Sequence, residues 1–323
     1  MPALAVAALS ARLLAQATVA AGLDAVALDV FGDADTCAAA TFWSPIGTPT
    51  LLRIDAALLL DALAALARQG TVQGWVAGAG FEGRPELLEQ GHALLPLFGT
   101  SGPDVRRVRD PKTFFAALDA LRIAHPEVRL DVAAAAPGAG WLVKDFAASG
   151  GMHIRRADLL APAALTASQY WQREVHGAAM SATFIGNGRD AAVLGCNEQI
   201  VHPFEDSPYR FHGVVGPVAV PETVQREVGR IVAALTEAFA LRGLASLDFM
   251  RAGVAVQVLE VNPRPPASMA LYPHVGEGAV MRAHLNACRG SVLPSAAAPG
   301  SQVRGTEIVF AERPLRLGAA AAM

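Results

Sequence analysis

An apolar, strand-like run near the C-terminal end of the chain carries an acid and an amide where aliphatic side chains belong: Leu259-Glu260-Val261-Asn262-Pro263-Arg264-Pro265. Side chains on an extended strand alternate, so residues two apart line one face. On that reading Val254, Val256, Val258, Glu260 and Asn262 share a face, and the carboxylate and the amide are neighbours. Asp248 lies in a second apolar run, Gly243 to Met250, and Arg251-Ala252-Gly253 is short enough to fold the two runs into a hairpin. Asp248, Glu260 and Asn262 then converge as hard oxygen ligands suited to Mg2+, with Mn2+ as an alternative, an ion that usually bridges a few protein groups to substrate phosphates. A solvated strand end is the competing explanation at this point.

Lysine occurs only at Lys112 and Lys144; every other basic side chain apart from histidine is arginine. Lys144 sits in Trp141-Leu142-Val143-Lys144-Asp145-Phe146, an apolar setting in which an ammonium is costly to desolvate unless it meets an anion. The Ser149-Gly150-Gly151 that follows supplies backbone N–H groups able to cradle phosphate oxygens. A snorkelling lysine beside an ordinary turn is the plain alternative.

Taken in order, Lys144 with its Ser-Gly-Gly loop, Tyr170-Trp171-Gln172-Arg173-Glu174-Val175-His176-Gly177, Asp248, and Glu260-Val261-Asn262-Pro263-Arg264-Pro265 resemble the landmarks of the ATP-grasp superfamily. The resemblance implies that Lys144, Ser149, Gly150 and Gly151 hold the phosphates of ATP. It also implies that Gln172, Arg173 and Glu174 form the hinge against adenine, and that Asp248, Glu260 and Asn262 bind Mg2+. The chain departs from the pattern at Ala179, where many members carry a ribose-binding acid, and at Ser246, where an arginine is frequent; Arg264 is a candidate for the missing positive charge and for catalysis. The implied fold is α/β, passing to α+β in the C-terminal part: an ATP-grasp fold behind a Rossmann-like pre-ATP-grasp domain.

The N-terminal third resembles a group of ATP-dependent carboligases that includes the tyramine-glutamate ligase of methanofuran biosynthesis, on Ser10-Ala11-Arg12 and on Asp29-Val30-Phe31-Gly32-Asp33-Ala34-Asp35-Thr36. That resemblance implies a carbon–nitrogen ligase making a C1 carrier of the methanofuran or tetrahydromethanopterin type. Its expected partners are a small carboxylate and an amine, with glutamate and an aromatic amine first.

Charged residues are 17% of the chain and the net charge is -3, with the signs interspersed, which gives no basis for a nucleic-acid or anionic-membrane partner. Cys37, Cys196 and Cys288 are widely spaced and odd in number, against a disulfide framework or zinc site and in keeping with a reducing cytoplasm. The apolar start lacks the basic region of a signal peptide and is interrupted by Arg12, Gln16 and Asp24; it reads better as strand, helix and strand, a βαβ opening over Leu4–Ala8, Ala11–Ala21 and Ala25–Asp29. Leu51 to Ala67 is punctuated by charges, as an amphipathic helix is and a membrane span is not. No Gly-x-Gly-x-x-Gly follows the first strand, so a Rossmann-like shape does not bring NAD with it. A homodimer is compatible with all of this.

Three units are expected: a Rossmann-like domain over residues 1–104, a small lid over 105–176 and a large subdomain with the metal site over 177–323. Gly99 to Pro103 reads as a loop, and Asp110-Pro111 as the capped start of a helix that runs to Leu121, with Lys112 as a further candidate for ATP. Asn197 to Pro217 is polar and aromatic and too long for a hairpin turn, so it reads as a functional loop, with Tyr209, Arg210 and His212 as candidates for the second substrate. His153 and His176 are weaker candidates as bases, and Gly318 to Met323 reads as a frayed end. Two further readings stay open: an ATP-grasp carboxylase using bicarbonate, and a non-catalytic ATP-binding regulatory module.

Overall fold

The computed structural model describes residues 3–131, 137–159, 165–204, 207–275, 278–291, 293–294 and 302–308; the expected frayed end at Gly318 to Met323 lies outside them. The chain opens as expected with a parallel unit: β1 (Ala3–Ala7), α1 (Arg12–Ala20) and β2 (Asp24–Asp29), extended by α2 (Ala34–Ala39), β3 (Phe42–Pro45), α3 (Ala56–Gln69) and β4 (Val72–Ala77). The strand order is β3-β2-β1-β4, parallel throughout. Leu4 and Val6 face one side and Ala5 and Ala7 the other, all sealed from solvent, because helices cover both faces of a parallel sheet.

After α4 (Glu86–Leu94), the expected loop at Gly99 to Pro103 gives way within two residues to a helix, α5 (Gly102–Arg109). The sequence held its signal: Ser101 accepts from the Asp104 amide at 3.3 Å as N-cap, and Pro103 sits in the first turn. α6 (Pro111–Ala120) follows with Asp110 as cap, as expected.

A small antiparallel sheet comes next, built from β5 (Val128–Arg129), β6 (Trp141–Asp145), β7 (Arg155–Arg156) and β8 (Gln169–Arg173) in the order β5-β8-β6-β7. The last sheet has six strands: β9 (Ala178–Asn187), β10 (Ala191–Phe204), β11 (Ser207–Gly216), β12 (Arg242–Ala252), β13 (Ala255–Asn262) and β14 (Arg304–Glu307). Its order is β13-β12-β9-β10-β11-β14. Asn197 to Pro217 is therefore not a loop: β10 and β11 pair through most of it as a long hairpin. α7 (Glu222–Phe239) packs Val228, Ile231, Leu235 and Phe239 against one face of this sheet. Truncating a side chain such as Ile231 to alanine there costs about 2–5 kcal/mol. The opposite face is left to the cavity and to the elements around it. α8 (Val280–Cys288) packs between this sheet and α1, so one core joins the first and last sheets.

Candidate active site

The β12–β13 hairpin turns at Gly253-Val254, one step beyond the expected link, because both strands run on to Ala252 and Ala255. The expected common face for Val254, Val256, Val258, Glu260 and Asn262 does not form. Phe249 pairs with Val258 and Asp248 with Glu260, which leaves Leu259 as an extra residue in a bulge. A bulge shifts the alternation by one. Val256 and Val258 therefore lie with Leu247 and Phe249 in the core under α7, whereas Leu259, Glu260 and Asn262 turn to the cavity beside Ser246 and Asp248. Val254 stays out in solvent, 65% exposed.

Asp248, Glu260 and Asn262 meet at the cavity floor. The Asn262 amide lies 3.2 Å from Asp248 Oδ2 and 3.5 Å from Glu260 Oε1. Burial, and then the charge of Glu260, push the Asp248 carboxyl up to about 7. Burial raises Glu260 too, but Arg109 and then Lys144 outweigh it and hold this carboxyl well below the usual range. Two carboxylates this close with one of them forced toward its acid are short of positive charge; Asn262 Nδ2 faces both, and with that amide turned over, its carbonyl and the carboxylate oxygens make a donor set that fits Mg2+. Among the described residues no cluster of three or more His, Cys, Asp or Glu gathers elsewhere or here, since the third donor is an amide.

Lys144 is buried at 5% exposure on β6, opposite Tyr170 on β8. It lines the same cavity, as do Ser149, Gly150 and Gly151. Gly150 accepts from the Phe211 amide at 3.1 Å, and a Cβ on Gly151 would run into the Tyr209 carbonyl, so the loop lies flat on β11 as only glycine can. Gln172 is buried at 2% exposure with Nε2 unpartnered at the cavity wall, and Arg173 lines it as well. Glu174 does not: it accepts from Tyr209 and pairs with Arg156 at 3.4 Å, behind the hinge. Ala179 and Ser246 both line the cavity, and Ser246 Oγ lies 3.5 Å from Asp248 Oδ1.

Tyr209 and Phe211 face the cavity, and strand alternation turns Arg210 and His212 to the other side of β11. Arg210 stacks over the Phe204 ring at 4.5 Å, and His212 meets the Arg210 carbonyl and the edge of His202. The expectation that both hold a substrate is corrected on that ground. Lys112 is exposed and outside the cavity lining, and His176 is absent from that lining. Arg264 lines the cavity and donates from Nε to Glu82 Oε1 at 2.6 Å. Burial raises the Glu82 carboxyl, but Arg264 and Arg109 more than offset this and leave it lowered.

One residue escaped motif reading, and a second, named only as a weaker candidate base, lies at the heart of the site. Arg109, 6% exposed, closes α5 and donates from Nη1 to Glu260 Oε2 at 3.2 Å, while its other nitrogens bind the Phe146 and Ala148 carbonyls. Its signal was an arginine on the face that holds Val105 and Val108. His153 lines the cavity beside Lys144 and Glu260, with Nδ1 buried and unpartnered; burial lowers its pKa to about 4, so the ring is neutral.

Residues 109–268 match the family model of an ATP-grasp domain. No curated protein matches the chain by sequence. Among solved structures, an L-amino acid ligase from Bacillus licheniformis aligns over 97% of this chain and 81% of its own at 12% identity, with a TM-score of 0.70. N5-carboxyaminoimidazole ribonucleotide synthetase from Thermus thermophilus aligns over 92% and 80% at 18% identity, with a TM-score of 0.66. A biotin carboxylase complex from Campylobacter jejuni aligns over 90% and 72% at 13% identity, with a TM-score of 0.70. Likeness at these identities is a likeness of fold: the chain has the mixed helix-and-strand ATP-grasp fold. No helix among the described residues is long and apolar enough to cross a membrane.

Proposed function

Given an ATP-grasp fold whose cavity gathers Lys144, Asp248, Glu260 and Asn262, we propose that the chain is an ATP-dependent carboxylate–amine ligase that releases ADP and phosphate. The observation that carries this reading is the convergence of a buried lysine, a glycine loop and a two-acid-plus-amide oxygen set on one cavity. Lys144 and the Ser149–Gly151 backbone take the phosphates, and Gln172 and Arg173 take the base. Mg2+, held by Asp248, Glu260 and Asn262, supplies charge neutralisation for the phosphoryl groups. Arg109 keeps Glu260 ionised and in place.

Amide formation from a free carboxylate requires the departing oxygen to become a leaving group. A carboxylate oxygen attacks the γ-phosphorus and ADP departs; the amine nitrogen then attacks the acyl carbon, phosphate leaves, and the nitrogen loses its extra proton. Arg264, held by Glu82, stabilises the oxyanion of that second step on this reading, a contribution of about 3 kcal/mol in comparable sites. Division of labour among residues 1–104, 105–176 and 177–323 belongs to this proposal.

The resemblance of the N-terminal third supports the finer reading, a biosynthetic ligase for a methanofuran- or tetrahydromethanopterin-type C1 carrier, with glutamate and an aromatic primary amine as the first pair to supply. With Mg-ATP the enzyme is expected to release ADP, and hydroxylamine is expected to intercept the activated acid as a hydroxamate. AMP and pyrophosphate in place of ADP would sink the mechanism. ADP release that needs bicarbonate would favour the carboxylase reading, and tight ATP binding without turnover on any acid would favour a regulatory module.

A further inference from the structure

The two N-terminal motifs play no part in the nucleotide or metal site, yet they meet in space. Asp29, sealed from solvent, accepts from the Ala11 amide at 3.0 Å, the Gly32 amide at 2.9 Å and Trp43 Nε1 at 2.7 Å. It thereby fixes the turn that opens α1. Asp33 caps α2 by accepting from the Thr36 amide at 2.9 Å, and Asp35 of that helix comes within 3.8 Å of Arg12. These two side chains are 53% and 68% exposed, and an ion pair so long and so wet holds the arginine only loosely. The guanidinium stays available to another anion.

Arg12 lines the large cavity, and so does Gln16 one turn further on the same face of α1. The Asp29 carboxylate already sits on the Ala11 amide at the start of α1, so the free positive charge at this end of the cavity is that of Arg12. The lining also carries the apolar Leu9, Leu13, Phe211 and Met269, of which the last three belong to one apolar cluster with α1. The cavity volume, about 1630 Å³, exceeds the roughly 300–1,000 Å³ of a pocket for one small ligand, which leaves room for a second molecule beside a nucleotide.

We propose that this end of the cavity takes the apolar body of the second substrate and holds an anionic group at its far end on Arg12. A free small acid would leave the part-exposed Leu9, Leu13 and Phe211 facing water, and an ammonium at the far end would meet like charge. That the occupant is a substrate rests on the ligase reading; that the site binds an apolar-bodied anion does not.

Isothermal titration calorimetry on the full chain with three probes separates body from head: 4-phenylbutyrate, 4-phenylbutylamine and propionate. 4-Phenylbutyrate is expected to bind at least about tenfold tighter than either of the others. Arg12→Gln, a change at a half-exposed position, is expected to weaken 4-phenylbutyrate by about fivefold or more and to leave 4-phenylbutylamine binding no weaker, since the like charge is gone. No detectable binding of 4-phenylbutyrate, equal binding of the amine, or indifference to Arg12→Gln overturns the proposal. None of these measurements reads turnover, so an enzyme that fails to release ADP would remove the ligase reading and leave this one standing.

Discussion

Arg109 and Glu260, 151 residues apart in sequence, form a 3.2 Å ion pair in which the guanidinium side is 5% exposed. One arginine thus ties the end of α5 to the strand that carries Glu260 and, through the Phe146 and Ala148 carbonyls, to the turn that follows the strand of Lys144. Removing one partner of a buried pair leaves the other uncompensated, at a cost of about 3 kcal/mol or more. Arg109→Ala is therefore expected to lower the denaturation midpoint and also to weaken nucleotide binding. Arg109→Lys is expected to recover only part of either, because a single ammonium cannot reach a carboxylate and two carbonyls at once. Wild-type stability in the alanine variant would remove the strut.

Lys144→Met keeps the length of the side chain and deletes its charge. With a buried ammonium on the cavity wall, ATP affinity or phosphoryl transfer is expected to fall at least about tenfold, while the far-ultraviolet dichroism stays unchanged. Full turnover by this variant would take the phosphates away from Lys144.

Glu260→Gln and Asp248→Asn each delete one charged oxygen ligand, and both are expected to raise the Mg2+ concentration needed for half-maximal ADP release. The stability consequence differs between them. Asp248 is pushed toward its acid by burial and by Glu260, so its amide relieves repulsion, whereas Glu260→Gln strips Arg109 of its partner. Asp248→Asn should therefore be the more stable of the two in the absence of Mg2+, as thermal melts in chelator would read. An unchanged Mg2+ requirement in both would move the metal elsewhere.

What the sequence exposed and what it hid follow from how far each signal reaches along the chain. The parallel opening, the cap at Asp110 and the oxygen set were legible because each depends on neighbours within a few positions: a period of two, an Asp-Pro start, an acid among aliphatics. The bulge at Leu259 carries no marker in residue type, and one extra residue puts Val258 and Glu260, expected on one face, on opposite sides of the sheet. Arg210 and His212 had suitable chemistry for a substrate contact, but Asn197 to Pro217 turned out to be paired strand, and pairing fixes the faces. Arg109 and Glu82 find Glu260 and Arg264 only after the whole chain has folded, at separations of 151 and 182 residues.

Glu82 holds Arg264 with a 2.6 Å bond from Nε and is itself fixed by the Gly80 amide at 2.8 Å. Glu82→Gln preserves the shape and weakens this charge-assisted bond, so Arg264 loses its fixed position. Turnover is expected to fall about tenfold or more with ATP affinity unchanged, because the loss of about 1.5–3 kcal/mol bears on the reacting centre and not on the nucleotide. An equal loss in ATP affinity would make Glu82 a general structural support.

His284 sets a limit on acid stability. Its ring is sealed in the core, Nδ1 accepts from the Leu244 amide at 2.8 Å, and Nε2 lies 3.1 Å from the Phe98 carbonyl, which leaves one tautomer, neutral, with Nε2–H donating. Burial lowers its pKa to about 4, against the partial opposition of the Phe98 carbonyl. In the unfolded chain a histidine takes up its proton near about pH 6.5. Between those values the unfolded state binds the proton and the folded state does not, so stability is full above the upper value and declines as pH falls through the window. The loss attributable to this ring approaches about 3 kcal/mol at the acid end. Chemical denaturation across the window should show that decline, and the ring signals of His284 in the folded protein should hold their neutral shifts down to about pH 5. A His284 resonance that titrates near the ordinary histidine value would contradict the assignment, whatever the denaturation curves show.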